Sequence, residues 1–308
     1  MISVVVPVYN EGKNLVLLMD RLEAALRKTG RAYEIIYVDD GSRDDSLEIL
    51  KGFIGRTGVR VLELTRNYGQ HSAIMSGFSI VRGDIVVTID ADLQNPPEDI
   101  PALVRTMAEG NYEVVGTVRE MRKDSIFRKF PSRIVNAMTR KITGIHMSDW
   151  GCMLRAYRRE VVDRMVDSQE YSTFIPALAT LFAKRMTEIP VGHEERHAGV
   201  SNYTLWKLLN LQFDLLTSFS EFPLRVLMYI GTGMAFLGVA FGLLLVAMRL
   251  LYGPGWAAQG IFTLFAVLFF FVGVLFFALG IMGQYIGRIY HEVRKRPRFT
   301  IRKLHEGP

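Results

Sequence analysis

Two aspartates one residue apart, Asp90 and Asp92, follow the apolar run at 86–89. Residues two apart in a strand point the same way. A strand extended to its last residue would therefore turn both carboxylates to one spot. Like charges that close repel unless a cation sits between them. Oxygen ligands suit Mg2+ or Mn2+, and such an ion would hold a diphosphate. Two more polar clusters end apolar runs: Tyr9-Asn10-Glu11 and Asp39-Asp40-Gly41-Ser42. Any one of them reads equally well as a helix cap or a solvated turn. Three at three strand ends argue for a ligand site.

The elements that would carry these clusters alternate along residues 1 to about 118. "ISVVVPVY", "YEIIYVDD", "VRVLELT", "DIVVTID" and "YEVVGTV" read as strands. Between them, Leu15, Leu18, Leu22 and Leu26 recur at helical spacing. "RDDSLEIL", with Ser42 as its cap, "GQHSAIMSGFSIV" and "PEDIPALVRTMAEG" read as further helices. Apolar strands separated by helices imply an α/β fold with a mostly parallel sheet covered on both faces. Such sheets bind ligands at the carboxyl ends of their strands. A dinucleotide-binding domain would need Gly-x-Gly-x-x-Gly after the first strand, but "PVYNEGKN" has one glycine, and no P-loop is present.

The 308 residues carry a net charge of +6 and are 49% hydrophobic, unevenly distributed. Residues 226–248 hold no charge, and none appears between Arg249 and Arg288. Tyr252-Gly253-Pro254-Gly255 divides the two stretches with a turn signal. Each is long enough to cross about 30 Å of hydrocarbon as a helix. The reading is a hairpin of two membrane helices, 226–248 and 261–283, preceded by an amphipathic segment at 207–225 and followed by a basic tail at 284–308. Leu208, Leu211, Leu215 and Phe219 form the apolar stripe of that segment. It would lie in the membrane interface or pack on the soluble domain. Arg288, Arg294, Lys295, Arg296, Arg298, Arg302 and Lys303 follow the second helix. This bias places both termini in the cytosol, although Arg249 at the far end of the first helix weakens it. No secretory signal is visible at "MISVVVPVYNE", and Cys152, the one cysteine, excludes an intrachain disulfide and a cysteine-based zinc site.

A second basic cluster, Arg119, Arg122, Lys123, Arg128, Lys129 and Arg133, follows the strand after the paired aspartates. Arginine forks suit phosphate. Arg119, Arg128 and Arg133 are the candidate acceptor-phosphate ligands, against the plainer reading of a solvated basic loop. Nucleic acid is not the expected partner, since no nucleic-acid-binding motif accompanies the charge.

"VVPVYNE" (5–11), "VDDGS" (38–42) and "DADLQNPPE" (90–98) resemble the family 2 glycosyltransferases with their GT-A fold. "RNYGQHSAIMSGF" (66–78) and "DWGCMLRAYRR" (149–159) are similar to the polyisoprenyl-phosphate members. The resemblance extends over nearly the whole chain and implies a GT-A domain at 1–206. It implies that Pro7, Tyr9 and Glu11 line the base and ribose pocket and that Asp39 bonds the base, uracil. Asp90 and Asp92 would meet the metal and diphosphate, with Asp92 the direct ligand, and Gln94 would contact the donor sugar. Asp149 occupies the position of a catalytic base. A phosphate acceptor, with a second pKa of about 6, needs little proton removal, so Asp149 is expected to position the acceptor. The family commonly has lysine where this chain has Asn202, in "RHAGVSNY" (196–203). Asn202 cannot carry the charge, which leaves Arg196, His197 or Tyr203 to contact the diphosphate beside Ser201.

The implied activity is inverting transfer from a UDP-sugar to undecaprenyl phosphate at the cytosolic face of a bacterial inner membrane, dependent on Mg2+ or Mn2+. UDP-4-deoxy-4-formamido-L-arabinose is the implied donor, for lipid A modification. Glucosyl or other sugar transfer to a polyprenyl phosphate is the alternative. A homo-oligomer, a tetramer, is implied by resemblance alone. A processive polysaccharide synthase would show Gln-x-x-Arg-Trp and more membrane helices, and neither is present. A non-catalytic nucleotide-sugar sensor is disfavoured by the retained Asp90, Asp92 and Asp149.

Overall fold

The structure, a computed structural model, describes residues 1–119, 152–168, 174–192, 222–253, 261–294 and 296–307. The chain divides into two compact units, Met1–Thr204 with Arg296–Pro308, and Leu205–Lys295.

In the first unit, β1 (Ile2–Val8) is buried along its whole length. Ile2, Val4, Val6 and Val8 join one apolar cluster and Val5 joins another. A strand covered on both faces divides its side chains in this way. The first cluster takes in α1 (Gly12–Arg27), α2 (Ser46–Gly52) and α4 (Ile100–Glu109). The second takes in α3 (Gln70–Phe78), α5 (Arg159–Asp167) and α6 (Ile175–Phe182). Leu15, Leu18, Leu22 and Leu26 of α1 are all fully buried, each contributing about 1.5–3 kcal/mol. Gly77 lets α3 lie close to the sheet: a Cβ there would stand 2.4 Å from a methyl of Val5.

The sheet is completed by β2 (Tyr33–Asp39), β3 (Val59–Leu64), β4 (Ile85–Thr88), β5 (Val114–Arg119), β6 (Arg155–Arg158), β7 (Met186–Val191) and β8 (Ile301–Glu306). Its order is β7-β5-β6-β4-β1-β2-β3-β8. β1 pairs in parallel with β2 and β4, β2 with β3, and β5 with β7. β6 runs antiparallel between β4 and β5, and β8 runs antiparallel on β3. The α/β architecture with a mostly parallel sheet is as expected; β6, β7 and β8 are additions to the five strands read from sequence. Pro7 sits inside β1 without breaking it. Val8 bonds towards β2 and Val5 towards β4, so the N–H that Pro7 lacks would point to the β4 side. The β1–β4 ladder has already ended there, at Val5 and Thr88.

Three expectations change. β4 ends at Thr88, and Ala91 and Asp92 lie in a turn, so strand alternation does not present the two aspartates. Ser42 does not cap α2, which begins at Ser46 after Asp45; its hydroxyl accepts the Asn10 N–H instead. The stretch read as a tail continues the second long helix to Val293 and then supplies β8.

The second unit contains α7 (Phe222–Tyr252) and α8 (Ile261–Val293). The last four residues of the expected amphipathic segment, 222–225, open α7; the rest of it lies outside the described residues. Both helices are long and apolar enough to cross a membrane. At 1.5 Å per residue each runs to roughly 45–50 Å, beyond the hydrocarbon thickness. Large apolar side chains such as Phe236 and Phe269, 72% and 69% exposed, stand on their surfaces, as a lipid-facing helix requires. α7 stops at the turn signal read from the sequence, where Gly253 has φ 80° and its N–H donates to the Arg249 carbonyl.

Candidate functional site

From β1 the sheet grows through β2 to β3, and β4 then returns to the other side of β1. This reversal is a topological switch point, where open α/β sheets bind ligands beyond their carboxyl ends. The register pairs Val8 with Asp39 and Asp39 with Glu63. Tyr9 therefore leaves β1 beside the two aspartates that end β2, and two carboxylates stand side by side on neighbouring strands.

Asp39 and Asp40 look alike in sequence and do different work. Both are buried. Asp40 accepts the N–H groups of Tyr68 and Gly69, at 2.7 and 2.8 Å, and so pins the β3–α3 loop. Asp39 lines a cleft of about 250 Å3 with Tyr9, Ser42, Glu63, Arg66 and Arg302. Burial pushes its carboxyl above the usual range, against the lowering pull of the Ser42 hydroxyl and N–H. Gly41 is required between them and the next strand. Its φ is 68°, and a Cβ would meet the Arg66 backbone at 2.7 Å. Pockets that enclose whole drug-sized ligands run to about 300–1,000 Å3, so this cleft suits one end of a larger molecule.

The loop after β1 is tied to the loop after β2. The Asn10 side chain accepts the Arg43 N–H at 2.7 Å, and Ser46 accepts that of Glu11 at 3.0 Å. Glu11 precedes α1 without a side-chain capping bond, and its carboxylate accepts from the Asn14 amide at 2.6 Å. Pro7 is buried in β1, and neither it nor Glu11 lines the cleft.

Asp90 and Asp92 occupy the loop after β4, also apart from the cleft lining. The Gln70 amide at the start of α3 donates to Asp90. Asp92 accepts the Gln94 N–H at 3.2 Å across a turn. Between them and the following segment, Leu93 has φ 61°, a strained value for a branched residue, held by its side chain in the core. Among the described residues no cluster of three or more His, Cys, Asp or Glu forms a metal site. Two carboxylates still match Mg2+ or Mn2+, which take one or two and fill the shell with water and substrate phosphate.

Arg128, Arg133, Asp149, Arg196, Ser201 and Tyr203 lie outside the described residues; Arg119 ends β5. Glu63, Arg66, Gln70 and Arg302 were not singled out as site residues from sequence. Arg66 and Gln70 lie within the motif at 66–78, and Arg302 within the basic stretch at 284–308.

Residues 3–166 match the family described as Glycosyl transferase family 2. Similar curated proteins include an undecaprenyl-phosphate 4-deoxy-4-formamido-L-arabinose transferase of Yersinia pestis (strain Pestoides F). It is 54% identical over 98% of this chain and 93% of its own length. One of the same name from Klebsiella pneumoniae subsp. pneumoniae is 54% identical over 100% of this chain and 94% of its own. Among solved structures, the chain is similar in fold to glucosyl-3-phosphoglycerate synthase from Mycobacterium tuberculosis, in complex with Mn2+, UDP and phosphoglyceric acid. The TM-score is 0.51 at 19% identity, over 71% of this chain and 76% of that one.

Proposed function

We infer the reaction from one premise: this chain belongs to glycosyl transferase family 2. The protein is a glycosyltransferase that moves 4-deoxy-4-formamido-L-arabinose from UDP to undecaprenyl phosphate. The observation that carries this reading is 54% identity, over nearly the full length of both chains, to transferases of that name. The cleft at Tyr9 and Asp39 holds the uracil end of the donor. The diphosphate reaches towards Asp90 and Asp92, which would hold Mg2+ or Mn2+. A divalent ion bound there would neutralise the leaving diphosphate. The acceptor phosphate attacks the anomeric carbon as the bond from that carbon to the diphosphate oxygen breaks. The electron pair leaves with UDP, and the anomer inverts. The acceptor is largely a dianion at pH 7, so its oxygen attacks without a base, and Asp149 positions it. In membranes given labelled UDP-sugar and polyprenyl phosphate, the label should appear in a short lipid. Label in polymer would indicate a processive synthase, and binding without transfer a sensor.

Asp39 gives the reading a pH dependence. Its carboxylate accepts the N3–H of uracil, and a protonated carboxyl cannot do so with that oxygen. Because burial raises its pKa, affinity should fall on acidification with a midpoint above 3.8, the ordinary value. Uridine is the probe, since it lacks the phosphates that titrate near pH 6. Titrations from pH 4 to 8 should show this loss in the wild type and a weaker, flat profile in Asp39→Asn.

The membrane reading places both termini and the catalytic unit in the cytosol of a bacterial inner membrane, with the short loop between α7 and α8 outside. Cys152 is buried between Thr117 and Asn95, so Cys152→Ser should clear the background at little cost. In that chain, Gln259→Cys should be labelled from outside by an impermeant thiol reagent. Thr300→Cys should be labelled only after the membrane is opened.

A further inference from the structure

β8 reaches the cleft through an irregularity in its pairing. Glu63 is opposite Lys303, yet its neighbour Leu64 is opposite Ile301. Two residues of β8 thus match one step of β3, and Arg302 is the extra one. Such a bulge leaves one residue out of the ladder and re-aims its side chain. The Arg302 guanidinium donates through one terminal nitrogen to Glu63 at 3.1 Å. Its side chain remains 61% exposed and lines the cleft beside Asp39. The second Glu63 oxygen is bonded to His305 at 3.2 Å. Glu63 therefore anchors one terminal nitrogen of the arginine and leaves the rest of the fork to the cleft.

We propose that Arg302, on the strand that follows the membrane helices, is a donor-specificity residue: its guanidinium donates to a uracil carbonyl flanking N3 while Asp39 accepts the N3–H. This rests on the donor reading above. Uracil presents an acceptor, a donor and an acceptor along that edge; the cleft opposes them with a carboxylate on β2 and a guanidinium on β8, the strands on either side of β3. The sheet order supports the base rather than the phosphates as the group recognised. β8 lies four strand intervals from β4, about 19 Å at 4.8 Å each, so Arg302 is at the opposite end of the site from Asp90 and Asp92. Residues 3–166, which match the family, do not include it.

The test uses the full chain in lipid nanodiscs, titrated with uridine and UDP. Arg302→Ala should weaken both at least about tenfold, as loss of a charge-assisted hydrogen bond does, and Arg302→Lys by less. In turnover, Arg302→Ala should raise KM for the donor with kcat at saturation little changed, the mark of lost ground-state binding. Arg82→Ala is the control for strand docking, since Arg82 holds the Glu306 end of β8 away from the cleft; it should bind uridine as the wild type does. Unchanged binding by Arg302→Ala, or equal weakening by Arg82→Ala, overturns the proposal and leaves the donor reading standing. A wild type that binds neither uridine nor UDP overturns both.

Discussion

Asp92→Asn should lower sugar transfer at least about a hundredfold, the scale seen when a group stabilising developing charge is removed. Asp90→Asn should cost less. The amide in Asp92→Asn keeps an oxygen for the Gln94 N–H, so the turn and the Leu93 conformation survive. Only the negative charge is lost, and with it much of the attraction for a divalent ion. Asp90 and Asp92 each accept a hydrogen bond, from the Gln70 amide and the Gln94 N–H, so the smaller cost expected at Asp90 rests on the family resemblance, which makes Asp92 the direct ligand. Initial rates with labelled donor, at matched amounts of folded protein, measure both. A wild-type rate for Asp92→Asn, or an Asp90→Asn variant that loses more, would remove the metal from this assignment.

Arg60→Ala should destabilise the catalytic unit by about 3–5 kcal/mol, the usual cost of breaking a buried ion pair by removing one partner. Arg60 and Glu34 are each only 6% exposed and bonded to one another. Arg60 also donates to the Ile80 carbonyl at 2.7 Å and to Glu306 at 3.2 Å. Glu34 accepts from the Ser3 hydroxyl and the Arg82 N–H. The network thus ties β1, β2, β3 and β8 to the segment between α3 and β4. Removing Arg60 strands the Glu34 charge in the interior. Thermal unfolding should shift by about 6–20 °C. Adding Glu34→Gln, which stays neutral and keeps both acceptor bonds, should recover part of the loss. A shift of a degree or less would show that the network contributes little.

The elements legible in the sequence are those whose signal is local. Alternation and helical spacing in β1 to β4 and α1 to α4 arise from burial on two faces, which every residue records for itself. Leu15, Leu18, Leu22 and Leu26 are the clearest case. β6, β7 and β8 were not legible because strand pairing is settled by distant partners. "RAYR" and "IRKLHE" carry too few apolar residues to announce a strand. The same limit applied to the site. Tyr9 and Asp39, which line the cleft, stand out in the sequence because they end apolar runs. Sequence does not distinguish Asp39, in the cleft, from Asp40, which holds a loop, because the outward face depends on the whole sheet. Arg302 was hidden for both reasons, on an unannounced strand and at a bulge that alternation does not foretell.

The late arrival of β8 bears on how the protein is made. β3 is synthesised more than two hundred residues before the strand that covers its outer edge, with both long apolar helices between. At about 5–20 residues per second, that edge waits on the order of ten to fifty seconds for its partner. An unpaired edge is a template for mispairing with another chain. β3 carries Arg60 and Glu63, which discourage such pairing while they await Glu306, Arg302 and His305. The ionic contacts that close the finished sheet thus also guard the nascent chain, and both long apolar helices are made before the cleft at Asp39 is complete.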